Sequence, residues 1–289
     1  MKVLITGSRG QLGKALLCCH PREINVIGMG RDDLDITDEA SVRERVRAER
    51  PDVIINAAAY TAVDRAEREP DLATGVNAKG VGHLADQAAE IGCRLIQIST
   101  DFVFDGQRSV PYPPDAVPAP LGVYGQSKLE GERIALGSLG TSATIVRTAW
   151  LYASKGKNFV NTMLRLLSER DQVSVVSDQI SAPTWTLGLA RAIWGIVERP
   201  TISGIQHWTD LGVASWYDFA VAIMEEAVAA GRLEYPADVI PISTAEYPTD
   251  AQRPAFSVLD TRAFRDLLGV GGEHWRVNLR RMLGGEPDA

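Results

Sequence analysis

Cysteine is scarce in this chain, and Cys18, Cys19 and Cys93 are spaced like neither a disulfide framework nor a zinc motif. They read as small buried hydrophobes. The four histidines, at 20, 83, 207 and 274, are too scattered to form a ligand cluster, so no protein-held metal is expected. No apolar run approaches the roughly 18 residues of a membrane span, and no secretory signal precedes the first strand. Blocks of like charge are absent and the formal net charge is −7, which argues against nucleic acid or an anionic membrane as partner. Low-complexity tracts and internal repeats are missing too. What is left is 289 residues, 45% hydrophobic and 23% charged, the profile of a cytoplasmic globular protein of one large or two ordinary domains.

The N-terminal half alternates strands with helices. Lys2 to Thr6 reads as a buried strand, followed by glycines at 7, 10 and 13 and a helical run to about His20. A glycine-rich turn between strand and helix lets backbone approach a pyrophosphate, and the helix N-terminus supplies amide donors. A second strand is expected at Asn25 to Met29. Beyond it stands Arg31, where an acid for a ribose 2′-hydroxyl is the commoner choice. The arginine either meets a 2′-phosphate or pairs with Asp32 and Asp33. A helix capped by Thr37 or Asp38 runs to Arg50 and stops at Pro51. Further strands are read at 52–56, 95–99 and 144–148, with helices over 63–67 and 71–91 between the first two. Such alternation implies right-handed crossovers and a parallel sheet.

At the carboxyl edge of that sheet the small and polar residues gather: Asn56 to Thr61, Ser99-Thr100-Asp101, then Tyr124 and Lys128. Residues 107–120 hold five prolines and read as a loop. Tyr124 and Lys128 stand four apart at the start of a helix-compatible run, so they share a face. A cation beside a phenol lowers its pKa, which suits general acid chemistry near neutral pH. The plainer reading is a surface tyrosine and a solvated lysine. Past residue 150 the alternation fades. A helix is expected at 159–170, strands at 173–176, 205–208 and 239–242, and helices at 186–197 and 215–230.

Thr-Gly-x-x-Gly-x-x-Gly at 6–13, Asn77, Ser99-Thr100 and Tyr124-x-x-x-Lys128 resemble the extended short-chain dehydrogenase/reductase family. Longer stretches resemble its reductases of dTDP-linked 4-keto-6-deoxysugars: Asn-Ala-Ala-Ala-Tyr-Thr-Ala-Val-Asp (56–64), Ser-Thr-Asp-Phe-Val-Phe-Asp-Gly (99–106), Arg-Thr-Ala-Trp-Leu-Tyr (147–152), Asp-Gln-Ile-Ser-Ala-Pro-Thr (178–184) and Arg253-Pro254. The resemblance spans nearly the whole chain. It implies a Rossmann-like, doubly wound parallel α/β sheet with a smaller, interleaved C-terminal α/β substrate domain. Residues 1–150, with later sheet elements near 184–210, would bind the nicotinamide cofactor, and residues 151–289 mainly the nucleotide sugar.

The same resemblance assigns roles. Gly7 and Gly13 shape the turn, and Gly10, Gln11 and Leu12 contact the cofactor pyrophosphate. Asp35 and Ile36 frame the adenine, Ala59, Tyr60 and Thr61 line the ribose side, and Asn77 belongs to the same site. Tyr124 is the proton donor, Lys128 its partner and a ribose ligand, and Thr100 a donor near the same oxygen. Thr100 and Asp101 would meet the sugar. Trp150 packs on the deoxysugar or serves as a core aromatic, and Arg253 faces the substrate pyrophosphate or is a loop arginine. The expected cofactor is NADPH, with NADH also possible and magnesium left open. The expected reaction is reduction of dTDP-4-dehydro-β-L-rhamnose at C4. Its alternatives are a ketoreductase for another dTDP-4-keto-6-deoxysugar and a non-catalytic nucleotide-binding regulatory subunit. The implied partners are the nucleotide sugar and, at most, a second copy in a homodimer. Two departures stand out: these reductases often have tyrosine where Phe102 stands and glycine where Ser181 or Ala182 stands.

Overall fold

Runs such as Val3-Leu4-Ile5, Val53-Ile54-Ile55 and Leu95-Ile96 are apolar on both faces, so their strands need cover on both sides. In the computed structural model, which describes residues 1–285, they get it. Six parallel strands lie in the order Gly204–His207, Ala143–Thr148, Arg94–Thr100, Val53–Asn56, Lys2–Thr6 and Asn25–Met29. Alternate side chains feed two cores. Val3, Ile5, Ile55, Ile96 and Val146 pack with the helices Gln11–Cys18 and Thr186–Glu198. Leu4, Ile54, Leu95 and Ile145 pack under Glu39–Glu49 and Gly80–Ile91. Strand order reverses at Lys2–Thr6, which has its successors on opposite sides. The crevice beyond the carboxyl end of that switch point is where open sheets of this kind bind ligands.

A third apolar cluster, among them Tyr152, Val160, Trp185, Phe219 and Leu279, draws all its buried members from residues after 150, with Cys19 and Trp150 packed against it. It surrounds a two-stranded parallel pair, Gln172–Val176 with Asp238–Ile242. The late elements are shared out. The strand Gly204–His207 and the helix Thr186–Glu198 join the large sheet, while Phe159–Glu169 and Trp216–Ala229 join the third cluster.

Two features differ from the reading of the sequence. The single helix expected over 71–91 is broken into Pro70–Thr74, a π-helical turn Gly75–Lys79, and Gly80–Ile91. Such turns are frequent at functional sites because they re-aim a side chain, here Asn77. Two C-terminal helices, Arg262–Leu268 and Trp275–Leu283, carry little sequence signal, because both are short and sit amid glycines and charges.

One buried polar cluster braces the carboxyl edge of the sheet from beneath. Arg147 and Glu132, each almost fully buried, make paired bonds of 2.9 and 2.6 Å, and Ser99 Oγ donates to Glu132 at 2.5 Å. His207 lies with Nε2 3.5 Å from Arg147 Nη1 and Nδ1 3.1 Å from the Tyr112 carbonyl. Burial, with the Arg147 cation beside it, pushes its pKa down to about 3. The ring is therefore neutral, donating from Nδ1 and accepting at Nε2.

Candidate active site

The first strand ends in a turn that only glycine permits. Gly7 has φ +65°, and a Cβ there would lie 2.6 Å from Ala58 N. A Cβ on Gly13 would lie 2.3 Å from the Gly7 carbonyl oxygen. The helix that follows, Gln11–Cys18, starts after Gly10 with no side-chain cap on its first amides. Bare backbone and uncapped N–H groups fit a dinucleotide pyrophosphate. Leu12 points into the core, so only its amide serves such a ligand. Gln11 is tied across the crevice, its Oε1 accepting from Asn158 Nδ2 at 2.7 Å.

At the end of the second strand the arginines share out the acids in an unexpected way. Arg31 Nε donates to Asp35 at 3.2 Å and stays largely exposed. Asp32 and Asp33 pair instead with Arg9, from inside the glycine turn. Arg9 lies over Gly30, where a Cβ would come 2.7 Å from its Nε. Two cations thus stand at the end of the second strand, and sequence reasoning named one of them. The usable signal was Arg9 preceding Gly10, paired with a glycine at 30. Ile36 departs from its expected role: its side chain is buried against Gly80, where a Cβ would come 2.8 Å from Ile36 Cγ1. Only its backbone is left to frame an adenine.

The π turn aims Asn77 at the third strand's extension. Its Oδ1 accepts from Tyr60 N at 2.9 Å, and its Nδ2 donates to Tyr60 O at 3.0 Å and Ser127 Oγ at 3.1 Å. Asn77 therefore clamps the Ala59-Tyr60-Thr61 backbone to the helix Val123–Leu139. That helix is pressed close: a Cβ on Gly131 would meet Asn77 O at 2.1 Å, and one on Gly125 would meet Phe102 O at 2.2 Å. Its N-terminus lacks a cap of its own. Glu67 Oε1 supplies one from outside, accepting from Val123 N at 2.8 Å. Nothing in the local sequence marks Glu67 for this task.

Tyr124 and Lys128 both lie on that helix, with Lys128 4% exposed. Lys128 Nζ donates to the Ile98 carbonyl at 2.6 Å, and burial pushes its pKa down to about 8, with Glu132 holding it partly up. Ile98 O also accepts from Gln97 Nε2 at 2.7 Å. Gln97 in turn accepts from Asn56, which accepts from Thr6 at 2.5 Å, so a side-chain ladder crosses three strand ends. The half-buried Tyr124 meets Phe102 edge-on at 5.6 Å. Its pKa is not lowered as the four-residue spacing suggested. Burial pushes it up to about 12, against a hydrogen bond from Thr100, with the Asp101 charge adding to the rise. The Thr100 hydroxyl has one proton and two acceptors near it, Tyr124 and Asp101 Oδ1 at 3.2 Å.

Asp101, expected to meet the sugar, already has protein partners. Its carboxylate is 2% exposed and accepts from Ser257 Oγ at 2.5 Å and Ser181 Oγ at 3.3 Å. Burial, opposed by those bonds, pushes its pKa up to about 6. Ser181 is thus a strut between the strand end and the C-terminal region. Arg253 is another, forked onto Asp64 at 2.9 and 2.8 Å and bonded to Thr249 at 2.6 Å. Its guanidinium already has an anionic partner, so a pyrophosphate would have to share it. Trp150 has φ +45°, a strain on the order of 1–3 kcal/mol for a bulky residue. It stacks on Trp216 at 3.5 Å, half-buried.

Comparison with known proteins agrees in one direction. Residues 1–286 match the family described as "RmlD substrate binding domain". A dTDP-4-dehydrorhamnose reductase of Aggregatibacter actinomycetemcomitans is 42% identical over 288 residues, covering 97% of this chain and 98% of that protein. A reductase of the same description from Clostridium acetobutylicum superposes with TM-score 0.92 at 38% identity, covering 98% of each chain. One from Bacillus anthracis, solved in complex with NADP, gives 0.91 at 38% identity over 97% of this chain and 98% of its own. Among the described residues no cluster of three or more His, Cys, Asp or Glu is arranged to hold a metal, and no helix is long and apolar enough to cross a membrane.

Lys128 should cost the fold stability. Its folded pKa, about 8, lies below the ordinary 10.5, so the penalty is fully present below pH 8 and disappears as pH rises through 10.5. The size at neutral pH is on the order of 3 kcal/mol. Lys128→Met keeps the volume and leaves Ile98 O its bond from Gln97. It should raise the Tm by several degrees at pH 7, and the gain should shrink steadily in alkaline buffer. A variant less stable than the parent at every pH would mean that the ammonium is not desolvated as described.

Proposed function

The chain belongs to the dTDP-4-dehydrorhamnose reductases, NAD(P)H-dependent oxidoreductases of the extended short-chain dehydrogenase/reductase family, and we propose that it reduces dTDP-4-dehydro-β-L-rhamnose at C4 to dTDP-β-L-rhamnose, with NADPH preferred. The observation that carries this reading is the convergence of Tyr124, Lys128 and Thr100 at the carboxyl edge of the same sheet whose first strand leads into the glycine turn. A reduced nicotinamide bound over that turn supplies the hydride. Tyr124 gives its proton to the ketone oxygen as negative charge develops there. Thr100 turns its hydroxyl toward the phenolate that remains, and Lys128 supplies a fixed positive charge on the same helix face. A phenol held near pKa 12 is protonated at neutral pH, and its release of the proton to the ketone relies on the Lys128 charge and the Thr100 hydroxyl to offset the cost of forming phenolate.

Binding follows the division of the chain. Residues 1–150 are assigned to the cofactor: the backbone of Gly7, Gly10, Gln11, Leu12 and Gly13 for the pyrophosphate, Asp35 and the Ile36 backbone for the adenine, and Ala59 to Thr61, clamped by Asn77, for the ribose side. Arg9 and Arg31 are assigned to the 2′-phosphate, whose charge would compete with their aspartates. Residues 151–289, together with Trp150, are assigned mainly to the nucleotide sugar. Asp101 and Arg253 act there as struts, Arg253 with donors to spare for a phosphate. The proposed setting is the cytoplasm, which free Cys18, Cys19 and Cys93 fit.

Tyr124→Phe removes the proton and keeps the ring. Turnover with the dTDP-linked ketosugar should fall at least about 10²-fold while NADPH affinity holds. Retention of most activity would transfer the acid's role elsewhere. Cofactor choice is checked by dissociation constants for NADPH and NADH. The ratio should move toward NADH in Arg31→Ala and Arg9→Ala, and further in the double variant. A ratio unmoved in all three would take the 2′-phosphate away from this corner.

A further inference from the structure

The Trp150 ring is stacked against a second indole. The Trp216 ring lies 3.5 Å away with the two planes 11° apart. Trp216 is the first residue of the helix Trp216–Ala229, whose start is locked by the reciprocal bonds of Ser215 and Asp218. Its own N–H donates to Gln179 Oε1 at 3.2 Å. Gln179 Nε2 donates to Thr244 Oγ1 at 3.1 Å, and Thr244 Oγ1 donates to Asp178 at 2.6 Å. The Asp178-Gln179 pair, so far without a role, is thus the root of a bonded chain that ends on the Trp216 ring. Phe159 packs on the same ring at 4.6 Å.

Trp150 needs such support. Its backbone sits in the left-handed region, which a bulky residue leaves unless its surroundings hold it there. The Trp150 carbonyl accepts from Thr184 N at 3.2 Å, fixing the main chain, and Trp216 fixes the side chain.

We propose that Trp216 is a positioning residue for the sugar. It locks the Trp150 indole in one orientation, so that the apolar side of a 6-deoxyhexose meets a preset wall instead of a rotamer that must be ordered on binding. Gln179 locks Trp216 in turn. The inference rests on the reading above, that a nucleotide-linked deoxysugar packs on Trp150. Trp216 touches no reacting atom, so its loss weakens sugar binding and leaves the chemical step alone.

The test uses steady-state kinetics with dTDP-4-dehydro-β-L-rhamnose, beside far-ultraviolet circular dichroism, where two stacked indoles give an exciton couplet. In Trp216→Leu the couplet should vanish and KM for the ketosugar should rise roughly 10-fold, the scale of an aromatic pair, with kcat within about 2-fold and NADPH affinity unchanged. Trp216→Phe should recover most of the lost affinity. Gln179→Leu, which leaves both rings in place, should give a smaller rise in KM and serves if Trp216→Leu folds poorly. A lost couplet with unchanged KM overturns the proposal. An unaltered protein that shows the couplet but never turns over the ketosugar overturns the substrate reading beneath it, and the proposal falls with that reading.

Discussion

A charged lysine held in a dry place is the constraint on which the carboxyl edge of the sheet depends. Lys128 is buried on the Ile98 carbonyl, at the end of a side-chain ladder running from Thr6 through Asn56 and Gln97. Bringing it there requires the helix Val123–Leu139 to lie almost on the sheet edge. Gly125 and Gly131 allow that approach, because a Cβ at either would collide with a backbone carbonyl. Glu67 caps the helix from a neighbouring segment, and Asn77, aimed by its π turn, clamps Ser127 and Tyr60 together. These contacts spend stability on a group the fold would be better without, a trade expected at a working site.

The electrostatics around the phenol are set by the same geometry. Burial holds the Tyr124 proton, Thr100 can support the charge left when it departs, and Asp101 next door is kept busy by Ser181 and Ser257. Beneath them Arg147 and Glu132 neutralise one another. The C-terminal region reaches the edge through struts: Ser181 and Ser257 on Asp101, Arg253 on Asp64, Asn158 on Gln11. A ligand lying across the crevice would therefore be gripped by parts already braced against each other.

How much of this could be read from the chain depended on the range of the contact. The glycine turn, the parallel alternation and the Tyr124–Lys128 spacing are local patterns, and periodicity alone reveals them. The sheet order and the sharing of late elements between two cores followed from the same alternation only in outline. Spacing put the ammonium and the phenol on one face but said nothing of burial, and burial decided both pKa values. The pairings made by Arg9, Glu67 and Gln179 were hard to read for a related reason. Each acts on a residue far away in sequence, so no window along the chain contains both partners. The π turn at Asn77 hid inside a helical pattern that it interrupts by a single turn.

The account's central claim is a hydride delivered to C4 of a nucleotide-linked 4-keto-6-deoxyhexose. The direct measurement is a single incubation of the protein with dTDP-4-dehydro-β-L-rhamnose and NADPH deuterated at both C4 positions of its nicotinamide, followed by proton NMR of the sugar product. The account predicts dTDP-β-L-rhamnose with deuterium at C4 and nowhere else on the hexose. A product protonated at C4, or deuterium at another ring carbon, would contradict it.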